Sequence, residues 1–327
     1  MSSRKYSKRF VIIVLIILLL AVMGLILYDF LSNQDDQNEG QDIPSQADRD
    51  VVYYDGDAYK YNYNLKNILF LGIDNNAELP EENIPGAGGQ ADCIILLSVD
   101  RENKMVKALQ ISRDSMTEVD IYDANGNQYA TVNAQVATQY AYANGAKNGC
   151  WAMKKTVSEL LYEIPIDGYI AMDIAAVAQI NDSLGGVVIT IPEDCTMIDS
   201  AFEKDATITL TGEQAEKYVR YRDITVMGDN HFRMRRQIQY IPALLATMKD
   251  KVNCSEDALE TLHSEIAPYI LTDLTTDEVM NMMQYSWNEE NVTFLAGESV
   301  AGKEFEEFHI DDTQLQETIM KMFYKLK

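Results

Sequence analysis

Tyr169 to Pro192 reads Y-I-A-M-D-I-A-A-V-A-Q-I-N-D-S-L-G-G-V-V-I-T-I-P, and the fold class follows from it. A short apolar strand, Y-I-A-M-D, runs into a helical pattern from Ile174 to Leu184. Gly185 and Gly186, just past Asp182, then turn the chain into a second strand, V-V-I-T-I-P. Strands alternating with amphipathic helices mark an α/β fold. Glycine at such a helix-to-strand turn serves the backbone.

Outward from this unit, N-I-L-F-L-G-I-D (Asn67 to Asp74) and C-I-I-L-L-S-V-D (Cys93 to Asp100) are short apolar runs bounded by turn residues, as buried strands are. M-V-K-A-L-Q-I from Met105 suits a hairpin partner across R-E-N-K. Helices are expected at Ala134 to Ala143, Trp151 to Tyr162, Ser255 to Ile270 and Thr276 to Trp287, then a strand N-V-T-F-L and a last helix, Asp312 to Tyr324. These elements predict a mixed central β-sheet flanked by helices. The loop Asn75 to Ala91 contains G-A-G-G but lacks the Lys-Ser/Thr of a P-loop, so alone it says little about phosphate.

Thr211 to Tyr240, T-G-E-Q-A-E-K-Y-V-R-Y-R-D-I-T-V-M-G-D-N-H-F-R-M-R-R-Q-I-Q-Y, gathers Arg220, Arg222, Arg233, Arg235 and Arg236 in a chain of formal net charge -24. Guanidinium forks match phosphate oxygens, whereas Glu213, Glu216, Asp223 and Asp229 offer ordinary salt bridges. Thr211 with Gln214 is a capping-box signature, so a helix begins at Gly212. For Arg220 and Arg222 to share a face, that helix must end between Tyr218 and Arg220. Arg233, Arg236 and Gln237 share one helical face beside the stripe of Met234, Ile238, Ile241 and Leu245. Arg235 lies off that face as a bystander, and Arg236 is either phosphate-facing or structural. Pro242 either kinks this helix or marks its start.

The chain has 327 residues, 47% of them hydrophobic, enough for a real core. Its acidity argues against nucleic acid as a partner. Cys93, Cys150, Cys195 and Cys254 form no C-x-x-C pair, which argues against a zinc or redox motif and leaves disulfides or buried thiols open. Val11 to Tyr28 carries no charge and spans roughly 27 Å as a helix, about one hydrocarbon core. Arg4, Lys5, Lys8 and Arg9 precede it and Asp29, Asp35 and Asp36 follow, which places the amino end inside and the remainder outside. The expected organisation is a cytoplasmic end (1–10), a single transmembrane anchor (11–31), a polar tether and lead-in (32–66) and a catalytic domain (67–327). Tyr53, Tyr54, Tyr59, Tyr61 and Tyr63 in the lead-in suit an edge strand or the bilayer interface.

Seven segments, taken in order between about Asn67 and Met248, carry a resemblance: N-I-L-F-L-G-I-D, A-D-C-I-I-L-L-S-V-D, I-S-R-D-S-M, T-V-N-A-Q, N-D-S-L-G-G-V-V-I-T-I-P, G-E-Q-A-E-K-Y-V-R-Y-R and R-M-R-R-Q. Together they resemble the LytR-CpsA-Psr family of cell-wall glycopolymer ligases. The resemblance implies a membrane-anchored, extracytoplasmic phosphotransferase. It would move a glycopolymer phosphate, such as teichoic acid or capsule, from a polyprenyl-pyrophosphate carrier to a peptidoglycan hydroxyl. By match, Asp74 and Asp92 would hold Mg²⁺ or Mn²⁺, and Arg113, Arg220, Arg222, Arg233 and Gln237 would contact the pyrophosphate. Asp114 would orient Arg113 or act as a base, with Arg113 and Asp92 also in the catalytic set. Asp229 would brace Arg222 or Arg233. Where relatives often carry Gly-Arg-Ser-Asp, this chain has Gly89-Gln90-Ala91-Asp92, so one phosphate-contacting arginine is replaced. That loss motivates an alternative, a non-catalytic protein binding polyprenyl phosphate or wall polymer. A membrane-bound transcription attenuator fits less well, because Met1 to Phe10 leaves nothing to read DNA.

Overall fold

Strands β1 (Val51–Tyr54) and β2 (Asp57–Tyr61) form a hairpin that leads into the two strands at the middle of the sheet, β3 (Leu65–Ile73) and β4 (Ala91–Asp100). Strand β5 (Met105–Ile111) follows, then a hairpin of β6 (Met116–Tyr122) and β7 (Gln128–Gln135) and the helices Thr138–Ala141 and Ala146–Leu160. Next come β8 (Gly168–Asp173), helix Ile174–Leu184, β9 (Val187–Thr190) and β10 (Thr207–Leu210). Helices Gly212–Arg220 and Asn230–Cys254 precede β11 (Ile270–Thr272), helix Thr276–Met282 and β12 (Ser286–Phe294). Hairpin β13 (Gly297–Ala301) with β14 (Glu306–Ile310), helix Asp312–Phe323 and β15 (Tyr324–Leu326) come last. This computed structural model describes residues 51–75, 85–86, 88–254, 267–282 and 284–327. The expected cytoplasmic end, anchor and tether up to residue 50 lie outside the described residues. Among the described residues no helix is long and apolar enough to cross a membrane.

The central sheet has the order β11-β8-β3-β4-β5-β12. β8 runs parallel to β3 and β12 parallel to β5, while the other neighbours are antiparallel, so the sheet is mixed as expected. Both faces are covered, which is why β4 reads as one apolar run instead of alternating with polar residues. Ile94 and Leu96 face a core shared with Cys150, Met153 and Val157 of helix Ala146–Leu160 and with Ile319 and Phe323. Cys93, Ile95 and Leu97 face the opposite side, against Ile68, Val106 and Ile238. A third cluster joins Val177 and Ile180 to Val187, Ala215, Tyr218 and Tyr240, packing helix Gly212–Arg220 between its neighbours.

Helix ends follow local chemistry. Asp173 caps helix Ile174–Leu184 by accepting the Ala175 N–H at 2.8 Å, and Gly185 ends it at φ 84°. Thr211 and Gln214 form the expected capping box, and the Asp182 carboxylate accepts the Gly212 N–H at 2.6 Å, beside the positive end of that helix. The long helix starts at Asn230 and runs through Pro242, so the proline does not mark its start.

Several expectations change. Ala134 to Ala143 is the end of β7 followed by one helical turn, Thr138–Ala141, because pairing with β6 overrides the helical preference of its alanines and glutamines. The helix expected at Thr276 to Trp287 stops at Met282, and Ser286 onward pairs with β5 as β12. Of Ser255 to Ile270, residues 255–266 lie outside the described residues, while Ala267–Tyr269 is a 3₁₀ turn and Ile270 opens β11. The lead-in strand β2 pairs with both β1 and β15, which ties residues before Asn67 to the end of the chain. Cys93, Cys150 and Cys195 are buried free thiols.

One irregularity positions the site. Gly72 pairs with Cys93 and Ile73 with Ala91, so Asp92 is the extra residue of a β-bulge at the mouth of β3 and β4. Bulges of this kind re-aim a side chain. A Cβ on Gly72 would meet the Cys93 Cβ at 2.8 Å, so only glycine allows this close pairing. Gly72→Ala is therefore expected to lower stability by roughly 1–3 kcal/mol in urea unfolding. An unchanged midpoint would contradict the tight strand contact.

Candidate active site

Four segments converge at the carboxyl end of β3 and the start of β4: the Asp74 and Asp92 strand ends, the Ser112–Ser115 turn after β5, the end of helix Gly212–Arg220, and the start of helix Asn230–Cys254. Asp74 is fixed by its N–H, which donates to the Gln90 carbonyl at 3.0 Å. Arg220, the last residue of its helix, donates from Nη2 to Asp74 Oδ1 at 2.9 Å and from Nη1 to Glu216 Oε1 at 3.0 Å. The helix thus ends where a shared role for Arg220 and Arg222 requires.

Asp92 is held from two sides. Arg113 Nη1 donates to Oδ1, while Arg233 Nη1 donates to Oδ2 at 2.8 Å. Arg233 Nη2 reaches the Asp92 carbonyl at 3.3 Å and Asn230 Oδ1 at 2.7 Å. Burial lowers the Arg233 pKa, with Asp92 opposing the shift, so the carboxylate helps keep this enclosed guanidinium charged. Gln90 Oε1 accepts from Arg113 Nη2. It orients one arginine without adding a charge.

Asp114 is the second hub. It is 2% exposed, with Arg113 Nε 3.4 Å from Oδ1 and Arg222 Nη1 3.4 Å from Oδ2. Gln135 Nε2 donates to Oδ1 at 3.0 Å and to the Glu306 carbonyl at 2.7 Å. Burial raises the Asp114 pKa, opposed by Arg113, Arg222 and Arg233. Enclosed by these donors, the carboxylate orients arginines.

The remaining candidates separate. Gln237 is buried, donates to the Val219 carbonyl at 3.2 Å and accepts from Gln110 Nε2 at 3.1 Å, so it ties two elements together beside the arginines. Arg236, undecided from sequence, is structural: its guanidinium donates to the carbonyls of Tyr218 and Tyr221 and holds the chain between Arg220 and Arg222. Arg235 is exposed, outside the cluster. Asp229 does not brace Arg222 or Arg233. Its carboxylate accepts the Asp223 N–H at 2.8 Å and closes the intervening loop. Asn230, Ser112 and Gln135 belong to the site and were not singled out from sequence. Asn230 lies three residues before Arg233 at a helix start, and Gln135 ends the T-V-N-A-Q motif, which are the two available signals.

Beside Gln237 lies a small apolar cavity of about 50 Å³, lined by Phe70, Cys93, Met172, Val177, Val219 and Ile241 among others. It sits between the sheet and the helices that carry the arginines. Burial pushes the Cys93 thiol up to about 12, so this cysteine is a wall residue and no nucleophile. Among the described residues no group of three or more His, Cys, Asp or Glu could hold a metal. Asp74 and Asp92, hard oxygen donors on adjacent strand ends, supply two carboxylates. That set suits an ion that keeps water and takes phosphate oxygens as further ligands.

The two neighbouring arginines give a direct contrast. Arg236→Ala should cost roughly 1.5–3 kcal/mol in chemical unfolding, because buried carbonyls lose a charged donor. Arg235→Ala should stay within about 0.5 kcal/mol. Equal costs would contradict the assignment.

The LytR_cpsA_psr family model matches residues 29–323. The teichoic acid transferase TagV of Bacillus subtilis is 26% identical over 287 residues, covering 86% of this chain and 67% of TagV. TagU of Halalkalibacterium halodurans, also described as a polyisoprenyl-teichoic acid–peptidoglycan teichoic acid transferase, is 27% identical over 68% of this chain and 65% of its own length. The chain thus spans about two thirds of these relatives. Among solved structures, B. subtilis TagV superposes with a TM-score of 0.58 at 22% identity, over 80% of this chain and 98% of that one. TagT bound to LIIa-WTA gives a TM-score of 0.56 at 22% identity, over 80% and 90%. With a matched fold and a family model spanning most of its length, this chain belongs to the LytR_cpsA_psr family.

Proposed function

We propose that this protein transfers a glycopolymer phosphate from a polyprenyl-pyrophosphate carrier to a peptidoglycan hydroxyl outside the cell membrane. The observation that carries this reading is the convergence of Arg113, Arg220, Arg222 and Arg233 on three carboxylates beside an apolar cavity. In the reaction, the acceptor hydroxyl oxygen forms a bond to the phosphorus bearing the glycan. The bond from that phosphorus to the bridging oxygen breaks, and the lipid monophosphate departs with the electron pair while the hydroxyl proton passes to solvent. Negative charge spreads over the phosphoryl oxygens, and fixed guanidinium groups stabilise it without reorganising.

Each arginine has an assigned part. Arg220 and Arg222 grip one side of the pyrophosphate, Arg113 and Arg233 the other, and Asp114 keeps Arg113 and Arg222 aimed. Gln237 closes the site toward the cavity, whose volume of about 50 Å³ is less than one isoprenoid unit fills, so the lipid would have to widen it. Asp74 and Asp92 would hold Mg²⁺ or Mn²⁺, which when bound supplies charge neutralisation at the pyrophosphate. An amino-terminal anchor would keep the domain at the membrane that holds the carrier.

The test is transfer from lipid pyrophosphate to peptidoglycan by the full chain. Arg220→Ala and Arg222→Ala should each lower the rate by roughly 100-fold or more, and chelation should abolish it until Mg²⁺ or Mn²⁺ is restored. Full activity in both arginine variants would overturn the assignment. Asp114→Asn should lower kcat/KM roughly 10- to 100-fold through misaligned arginines and leave the acid limb of the pH profile in place; a lost limb would make Asp114 the base. Gln90 favours one rival, a lipid-phosphate binding protein, since it contributes no charge. Tight polyprenyl-phosphate binding without turnover on any polymer would support that rival.

A further inference from the structure

The loop joining helix Gly212–Arg220 to helix Asn230–Cys254 presents large apolar side chains to the outside. Ile224 is 82% exposed, Met227 57% and Val226 47%, and Phe232 on the following turn is 41% exposed. The loop's polar groups bond to one another and to the neighbouring hairpin. Asp223 Oδ1 accepts the Thr225 N–H at 2.9 Å and its hydroxyl at 2.6 Å, Asp229 accepts the Asp223 N–H, and Glu306 accepts the Gly228 N–H at 2.9 Å. Backbone bonds from Val226 N–H to the Asp223 carbonyl and from Asp229 N–H to the Val226 carbonyl complete the turn. Large apolar side chains are therefore held outward by a loop whose own hydrogen bonds order it. A surface loop normally presents the reverse pattern, and contiguous exposed apolar groups mark an interaction surface.

We propose that this loop is the foot by which the domain enters the bilayer interface. Its composition selects that partner. The tip, Ile224, Val226 and Met227, carries no ring to stack on a sugar; Asp223 and Asp229 bound it, but their carboxylates accept N–H groups within the loop, and Phe232 with Arg235 on the next turn supplies the apolar-plus-cation pairing of interfacial insertion. Arg235 follows Phe232 by three residues on the same exposed helical face, so a phenyl ring and a guanidinium sit side by side in a chain of net charge -24. This gives Arg235, which makes no part of the arginine cluster, an anionic headgroup as its counterpart. The loop also follows Arg222 directly and precedes Arg233 by four residues. Seating it at the headgroup level brings the arginines to the depth of a lipid pyrophosphate. The placement rests on the lipid-linked substrate proposed above.

The experiment reads depth without turnover. The full chain is reconstituted in vesicles of brominated phosphatidylcholine with phosphatidylglycerol, and tryptophan is introduced as Ile224→Trp, as Met227→Trp, or as Val188→Trp, the last at an exposed apolar position on β9. Bromine quenching of the added emission should be at least roughly twofold stronger at 224 and 227 than at 188, because only inserted side chains reach the acyl boundary. Equal quenching at all three positions would overturn the proposal, and so would quenching at 188 alone. Two independent loop positions guard against one variant that fails to fold. Strong quenching in a chain that transfers no polymer would overturn the transferase reading and leave the foot standing; transfer without quenching would do the opposite.

Discussion

The site depends on one placement, the Asp92 carboxylate pushed out of register by the bulge between β3 and β4. A regular ladder would leave the carboxylate within the pleat. The bulge instead puts both oxygens between Arg113 on the turn after β5 and Arg233 on the long helix. Two guanidinium groups that would repel each other are held together by the one anion between them. Asp114 repeats the device with Arg113 and Arg222, while Asp74 pairs with Arg220. The result is a run of alternating charges from Arg233 through Asp92, Arg113 and Asp114 to Arg222.

The phosphoryl transfer proposed above would give these ion pairs a use beyond static pairing. Buried ion pairs contribute little net stability, because desolvation offsets most of their attraction. A fold that gathers four arginines around three carboxylates at one strand end gains little from them unless an anionic ligand uses them. The apolar cavity next to Gln237 adds a second polarity at the same place, and a pyrophosphate esterified to an isoprenoid has both.

Much of this was legible in the sequence, and the misses have physical causes. The strands at Asn67 and Cys93 could be read because burial on both faces leaves continuous apolar runs. The helix at Gly212 could be read because Thr211 and Gln214 cap it locally. By contrast, Ala134 to Ala143 carries good helix formers, and only the distant partner β6 makes its first residues a strand. Arg236 shares a helical face with Arg233, but which of them meets the carboxylate depends on where the Tyr218 and Tyr221 carbonyls end up. Gln135 escaped notice because both of its partners lie far away in the chain. Asp229 was misassigned because a carboxylate near two arginines in sequence can be satisfied by a single backbone N–H in its own loop.

The proposed role of the arginine cluster and its cavity is to hold a lipid-linked pyrophosphate. It is tested most directly by mass spectrometry of lipids retained by the full chain purified from its native membrane. The account predicts enrichment of polyprenyl phosphate or pyrophosphate over bulk phospholipid, with the enrichment lost in Arg220→Ala with Arg222→Ala. A lipid profile matching the bulk membrane in both proteins would contradict it.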